Sequence, residues 1–195
     1  MDLTFFGTTF QFTHWFWIFV AVYSLRNLAE TLLVRGRASG ENGKRTGSTS
    51  LALFVISYFV AGFGTGFFLA LRTPHAIGFW IGIVGFAALH HVRTWILHRH
   101  LKAGWNPFTT PRSDSTLATD GPYRFLRHPL YALHLFELGC LWLILPNPVA
   151  AIAWFVDLVA TLARIPGEER LLEERYGDQW RAYVKRTRRL IPGVW

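Results

Sequence analysis

The sequence predicts an all-α integral membrane protein with five membrane-embedded helices, three spans plus a helical hairpin, followed by a C-terminal amphipathic helix. Two observations carry this. Hydrophobic residues make up 51% and charged residues only 16% of the 195 positions, where an ordinary soluble domain carries roughly a quarter charged residues. The apolar residues also gather into runs long enough to cross or enter a bilayer, and the polar ones gather between those runs. At this length the chain is one membrane domain, with 1–98 holding three spans and 99–195 a region rich in chemical side chains.

The first apolar run covers 10–34, with Trp15 and Trp17 near one end as an interfacial belt requires. Arg26 and Glu30 interrupt it four residues apart and share a helix face, which reads as a snorkelling pair at the inner interface, the alternative being a polar lining that faces the bundle. A Gly/Ser/Arg/Lys loop fills 35–50. The second span is expected over 51–71 and the third over 76–97, each with glycines that permit close helix approach. A polar connection rich in Pro, Thr and Ser runs from 98 to 120 and has the length of a binding loop. Two shorter apolar runs, 130–145 and 149–163, flank Pro146-Asn147-Pro148 and read as the hairpin. An amphipathic helix is expected over 164–184, because Leu172, Tyr176, Trp180 and Tyr183 recur at helical spacing. Pro192 ends it.

The net charge is +8. The basic residues lie in the loops and at the C-terminus, so lipid headgroups and topology account for them and nucleic acid is not implied. Their distribution places the N-terminus outside and the C-terminus in the cytoplasm. The hairpin then returns 121–131 and the C-terminal helix to the same face. One cysteine, Cys140, excludes an internal disulfide and a Cys-rich metal site.

The chemistry concentrates in two segments. In Arg127-His128-Pro129-Leu130-Tyr131, proline pushes His128 out of the α region and sets it at the entry to a helix. In Arg164-Ile165-Pro166-Gly167-Glu168-Glu169, Arg164 and Glu168 lie four apart and point into one cleft. A guanidinium suits an acceptor carboxylate. A carboxylate suits an amine or ribose diol, and Tyr123 and Tyr131 offer faces to an adenine or a sulfonium. Glu137 and Asp157 lie within the hairpin, where carboxylates are costly. They are candidates for lining an acceptor groove or for pairing with Arg93 or His134.

The order and spacing of Gly121-Pro122-Tyr123, Arg127-His128-Pro129-Leu130-Tyr131, Glu168-Glu169-x-x-Leu172, Tyr176-Gly177-Asp178-Gln179-Trp180, Tyr183 and Ile191-Pro192 resemble the isoprenylcysteine carboxyl methyltransferase family, including its small prokaryotic members. The resemblance implies a methyltransferase using S-adenosyl-L-methionine without a dinucleotide-binding fold, in a prokaryotic cell membrane. It implies cofactor contacts from Ser115, Thr116, Leu117, Ala118, Tyr123, His128, Pro129, Leu130, Tyr131 and Glu168. It implies that Arg164 meets the acceptor carboxylate, that the acceptor is a lipophilic small molecule or a prenylated cysteine, and that no metal takes part. The chain departs from the eukaryotic pattern at Ser115, where histidine is usual, and at Trp180, where tyrosine is common. A wider likeness to phospholipid N-methyltransferases keeps a lipid amine or thiol open as acceptor. Other classes are a metal-dependent membrane oxidoreductase using His90, His91, His98, His100, His128 and His134, and a non-catalytic scaffold. The usual HxxxH and HxxHH clusters of the former are absent.

Overall fold

The computed structural model describes residues 2–5, 7–35, 48–101 and 116–191. Ser115, the heart of the Gly/Ser loop, most of the polar connection and Pro192 lie outside the described residues. The elements are a hairpin of β1 (Asp2–Phe5) and β2 (Thr8–Gln11), then α1 (His14–Arg35), α2 (Ser48–Leu71), α3 (Ala76–Ile96), α4 (Pro129–Ile144), α5 (Pro148–Tyr176) and α6 (Asp178–Arg186). The hairpin departs from the all-α expectation. Its Thr- and Phe-rich strands pair antiparallel from Asp2↔Gln11 to Phe5↔Thr8, as β-branched and aromatic residues favour.

Prolines set the starts of α4 and α5. His128 has φ −125 and ψ 57 at the entry to α4, off the α region as the following proline requires. Pro148 is the first residue of α5, and Asn147 caps it by accepting from Ala150 N at 2.8 Å. The Asn147 amide also donates to Leu145 O at 2.8 Å, so one side chain makes the α4–α5 corner. Arg72, at the end of α2, donates to the carbonyl of Pro146 in that corner.

Helix α3 lies along α4, and α2 along α5. At Gly82 an added Cβ would lie 2.9 Å from Cys140 O and 2.7 Å from Ile144 N. Backbone cannot step aside as a side-chain tip can. Gly82→Ala is therefore expected to lower stability by about 1–3 kcal/mol, measurable as a lower midpoint of thermal unfolding in detergent. Phe19, Tyr23, Tyr58, Phe79, Phe86, Leu138, Leu141 and Ile144 fill the core among α1 to α4. The outer faces carry exposed large apolar side chains, among them Phe63, Ile81, Val84, Phe136, Ile152 and Phe155. Such a surface suits a lipid environment and would aggregate in water. Among the described residues, Ala76–His100 and Pro148–Tyr176 are long and apolar enough to cross a membrane, with Val55–Leu71 and Pro129–Ile144 as shorter apolar helices.

Two expectations are corrected. The hairpin's second helix does not end near 163 with a separate helix after it. Helix α5 runs unbroken through Pro166 to Tyr176, and the break comes at Gly177, whose φ of 50 is readily held only by glycine. Pro166 is exposed, and residues on either side of it are held by packing: Ile165 is fully buried and Glu168 is hydrogen-bonded. That tertiary hold outweighs the lost backbone bond. Arg26 does not snorkel to an interface either. It is 8% exposed and turns inward onto Glu137.

Candidate active site

The site begins at a tight corner. Gly121 opens a 3₁₀ turn, Gly121–Arg124, at φ 54. The ring of His100, at the end of the π turn Leu97–Leu101 that extends α3, packs against it so closely that a Cβ would lie 2.8 Å from His100 Nδ1. His100 Nδ1 also pairs with Asp120 Oδ2 at 3.1 Å. Both the backbone and the space demand glycine. Gly121→Ala is expected to displace Tyr123 and to lower stability by about 1–3 kcal/mol, measurable as a lower midpoint of thermal unfolding in detergent.

The C-terminal segment then pairs with this corner. Leu126 and Arg188 form a parallel bridge. Arg188 N donates to Phe125 O at 3.0 Å, Arg127 N to Arg188 O at 2.7 Å, and His128 N to Arg189 O at 3.0 Å. Buried Tyr183 of α6 donates its hydroxyl to Tyr123 O at 2.7 Å. Burial pushes the Tyr123 hydroxyl well above 10, with nearby Glu168 adding to the effect. The phenol is therefore neutral and serves as a donor or a face. These bonds bring 121–131 into contact with α6 and the segment that follows it.

Two segments more than thirty residues apart converge at Tyr131, on the first turn of α4. Its hydroxyl donates to Glu168 Oε2 at 2.7 Å and accepts from Arg164 Nε at 2.8 Å. Its ring lies nearly parallel to that of His128, 5.5 Å away and inclined by 17°. Arg164 and His128 are buried, and Glu168 is half-buried. His128, Tyr131, Arg164 and Glu168 thus form one constellation. Pro129 is buried and Leu130 half-buried beside it, while Thr116 is exposed and Leu117 and Ala118 are half-buried in irregular chain leading to Asp120.

Sequence reasoning missed Glu169 as the centre of an ion cluster. It accepts from Arg127 Nε at 2.8 Å, from Arg189 Nη2 at 2.8 Å and, at longer range, pairs with His128 Nε2 at 3.4 Å. Arg127 Nη1 also donates to Thr187 O at 2.7 Å. The only advance signal was the doubled glutamate following one helical turn after an arginine. Burial alone would raise the Glu169 carboxyl, but the hydrogen bonds from His128, Arg189 and Arg127 outweigh it and hold the group well below its ordinary 4.5. Glu168 and Glu169 lie beyond the apolar part of α5. A depressed carboxyl stabilises the fold above the unfolded value and loses that contribution as pH falls through the folded one. Unfolding midpoints are therefore expected to drop as pH falls below about 4.5, with a shallower drop in Glu169→Gln.

Glu137 and Asp157 sit deeper, both fully buried. Glu137 pairs with Arg26 Nε at 2.7 Å and Arg93 Nε at 3.4 Å, with His90 Nδ1 at 3.7 Å. Asp157 accepts from Ser57 Oγ at 2.8 Å and lies 3.4 Å from His134 Nε2. These pairs tie α1, α3 and α4, and α2, α4 and α5, respectively. Among the described residues no three His, Cys, Asp or Glu side chains gather as a metal site requires.

Comparison with known proteins addresses the same region. The model of the isoprenylcysteine carboxyl methyltransferase (ICMT) family matches residues 80–174. Protein-S-isoprenylcysteine O-methyltransferases B and A of Arabidopsis thaliana are each 37% identical to the chain over 79 residues, which is 40% of this chain and 40% of each relative. The matched region thus spans about two fifths of those curated relatives. Residues 80–174, matched by the family model, contain α4, Tyr131, Arg164 and both glutamates, the parts that converge in space. Over residues 80–174, this chain is similar to the isoprenylcysteine carboxyl methyltransferase family.

Proposed function

We propose that the protein is an S-adenosyl-L-methionine-dependent membrane methyltransferase acting on a lipophilic acceptor, with a carboxylate of isoprenylcysteine type as the favoured group. The observation that carries this reading is the junction at Tyr131, where Arg164 and Glu168 meet one hydroxyl. In this reading the five long helices α1 to α5 are membrane-embedded, the C-terminus faces the cytoplasm, and 99–195 forms the cofactor-binding region.

The residues present fit the cofactor. A half-buried carboxylate at Glu168 suits an amine or a ribose diol, and the parallel His128 and Tyr131 rings offer π faces to an adenine or a cation. Ser115 to Ala118, Tyr123, Pro129 and Leu130 complete the proposed contacts. S-adenosyl-L-methionine, when bound, supplies an electrophilic methyl group. Arg164 orients the acceptor carboxylate and keeps it ionised, so that its oxygen is a nucleophile without a general base. Tyr131 fixes Arg164 and Glu168 relative to one another. Burial of Arg164 in a water-poor corner strengthens its hold on the anion. Positioning and desolvation carry the acceleration, since no proton needs to be removed. Glu137 and Asp157, paired within the bundle, hold the helices that form the acceptor groove.

Transfer of labelled methyl from the cofactor to S-prenylated N-acetylcysteine and to membrane lipid extracts tests this reading. Expected is a base-labile methyl ester on the prenylcysteine and no label on its carboxamide analogue. Label on a lipid amine would overturn the carboxylate assignment, and absence of transfer to any acceptor would overturn the methyltransferase reading.

A further inference from the structure

The paired glutamates face different partners. Glu168 reaches Tyr131, at the junction with Arg164. One position on, Glu169 gathers Arg127 and His128 from the entry of α4 and Arg189 from the C-terminal segment. Its Oε1 serves Arg127, His128 and Arg189, and its Oε2 serves Arg189 twice, at 3.1 Å and 2.8 Å. The side chain is only 13% exposed. His128 therefore has its backbone N–H bonded to Arg189 O, its ring nitrogen facing Glu169 and its ring face against Tyr131. Besides the Tyr131 ring, this imidazole is held by Glu169 and by the C-terminal segment, to which Glu169 is tied through Arg189.

We infer that Glu169, locked by Arg189, is a positioning residue for the methyl-donor site: it fixes the His128 imidazole against Tyr131 and so makes the C-terminal segment a working part of the site. The inference rests on the proposed function, which places the donor at His128, Tyr131 and Glu168. Without the carboxylate, two guanidiniums and an imidazole face one another with no shared anion, and like charges so close repel. The ring then leaves its stacked position and the donor loses a preformed wall. Reacting groups at Arg164 stay in place, because Tyr131 and Glu168 hold them independently. The loss falls on cofactor affinity more than on turnover.

The test uses the full-length protein in detergent, reading cofactor KM, kcat and equilibrium binding of S-adenosylhomocysteine. Glu169→Gln, of the same shape but uncharged, is expected to raise the cofactor KM and the S-adenosylhomocysteine Kd about tenfold, the size of one charge-assisted hydrogen bond. Its kcat at saturation and its acceptor KM should stay within about twofold of wild type. Arg189→Ala should move the same two constants in the same direction by a smaller factor, and Arg189→Lys should restore most of the loss. A folded Glu169→Gln variant with wild-type cofactor constants overturns the inference, as does a fall in kcat with cofactor affinity unchanged. If Glu169→Gln does not fold, the more peripheral Arg189→Ala decides on the same criteria. Failure of wild-type protein to bind S-adenosylhomocysteine at all would instead overturn the underlying function, which keeps the two failures apart.

Discussion

Replacing Arg164 by alanine is expected to lower kcat/KM for the acceptor by about 10²–10³-fold, the range found when a preorganised charge-stabilising donor is removed from an active site. The side chain is buried, on the inward face of α5 one turn before Glu168, with Nε committed to the Tyr131 hydroxyl. Under the proposed function its removal has two effects. The acceptor carboxylate loses the cation that orients it, and Tyr131 loses the donor that fixes its oxygen between two partners. The first effect falls on the acceptor and the second on the donor. The expected pattern is therefore a severe loss of acceptor kcat/KM with a loss of cofactor affinity below about tenfold. Arg164→Lys should recover little, because an ammonium cannot hold both a phenol oxygen and a carboxylate with the planar fork of a guanidinium. Steady-state kinetics with a prenylcysteine acceptor at saturating cofactor measures this. Full turnover in Arg164→Ala would remove Arg164 from the mechanism.

The largest effect on stability is expected at Glu137. Its carboxylate is fully buried and takes Arg26 from α1 and Arg93 from α3 while itself belonging to α4. Arg26 also lies over the ring of Tyr58 from α2, 3.9 Å from its centroid. Glu137→Ala deletes the anion on which these cations converge and leaves their charge inside the bundle. Breaking a buried pair from one side costs about 3–5 kcal/mol, a large share of the roughly 5–15 kcal/mol that holds a domain folded. A sharp loss of monodisperse protein in detergent and a lower unfolding midpoint should follow. Replacing both partners with apolar residues, as in Glu137→Leu with Arg26→Met, should recover part of the loss, because no unmatched charge remains in that pair. A Glu137→Ala variant as stable as wild type would show that the ion pair does not fasten the helices.

Much of this was legible in the sequence, and the failures have physical causes. The apolar runs announced the long helices because lipid-facing and core-facing side chains are both apolar. The corner at Pro146-Asn147-Pro148 was readable because proline and asparagine act locally, and Asn147 caps α5 as its residue type prefers. His128 at a kinked entry and the nearness of Arg164 to Glu168 followed from proline chemistry and helical spacing. What depended on partners far along the chain was not readable. Nothing near Arg26 indicates Glu137, 111 residues away, and the local Glu30 was the more obvious partner. The change from apolar to charged residues after 163 read as a boundary between two helices, yet α5 continues through it to Tyr176. The role of Glu169 required the return of Arg189 to the entry of α4, which no periodicity encodes. The hairpin before α1 was passed over because its Thr and Phe residues merge into the apolar run that follows.

The central claim is that the entry of α4 and the charged half of α5 together hold one methyl donor. Equilibrium binding of labelled S-adenosyl-L-methionine to purified wild-type protein, Tyr131→Phe and Glu168→Gln tests it most directly. Saturable binding of one equivalent to the wild type, weakened about tenfold or more in each variant as a charge-assisted hydrogen bond is lost, is the expected result. Equal binding by all three folded proteins, or no saturable binding by any, would contradict the claim.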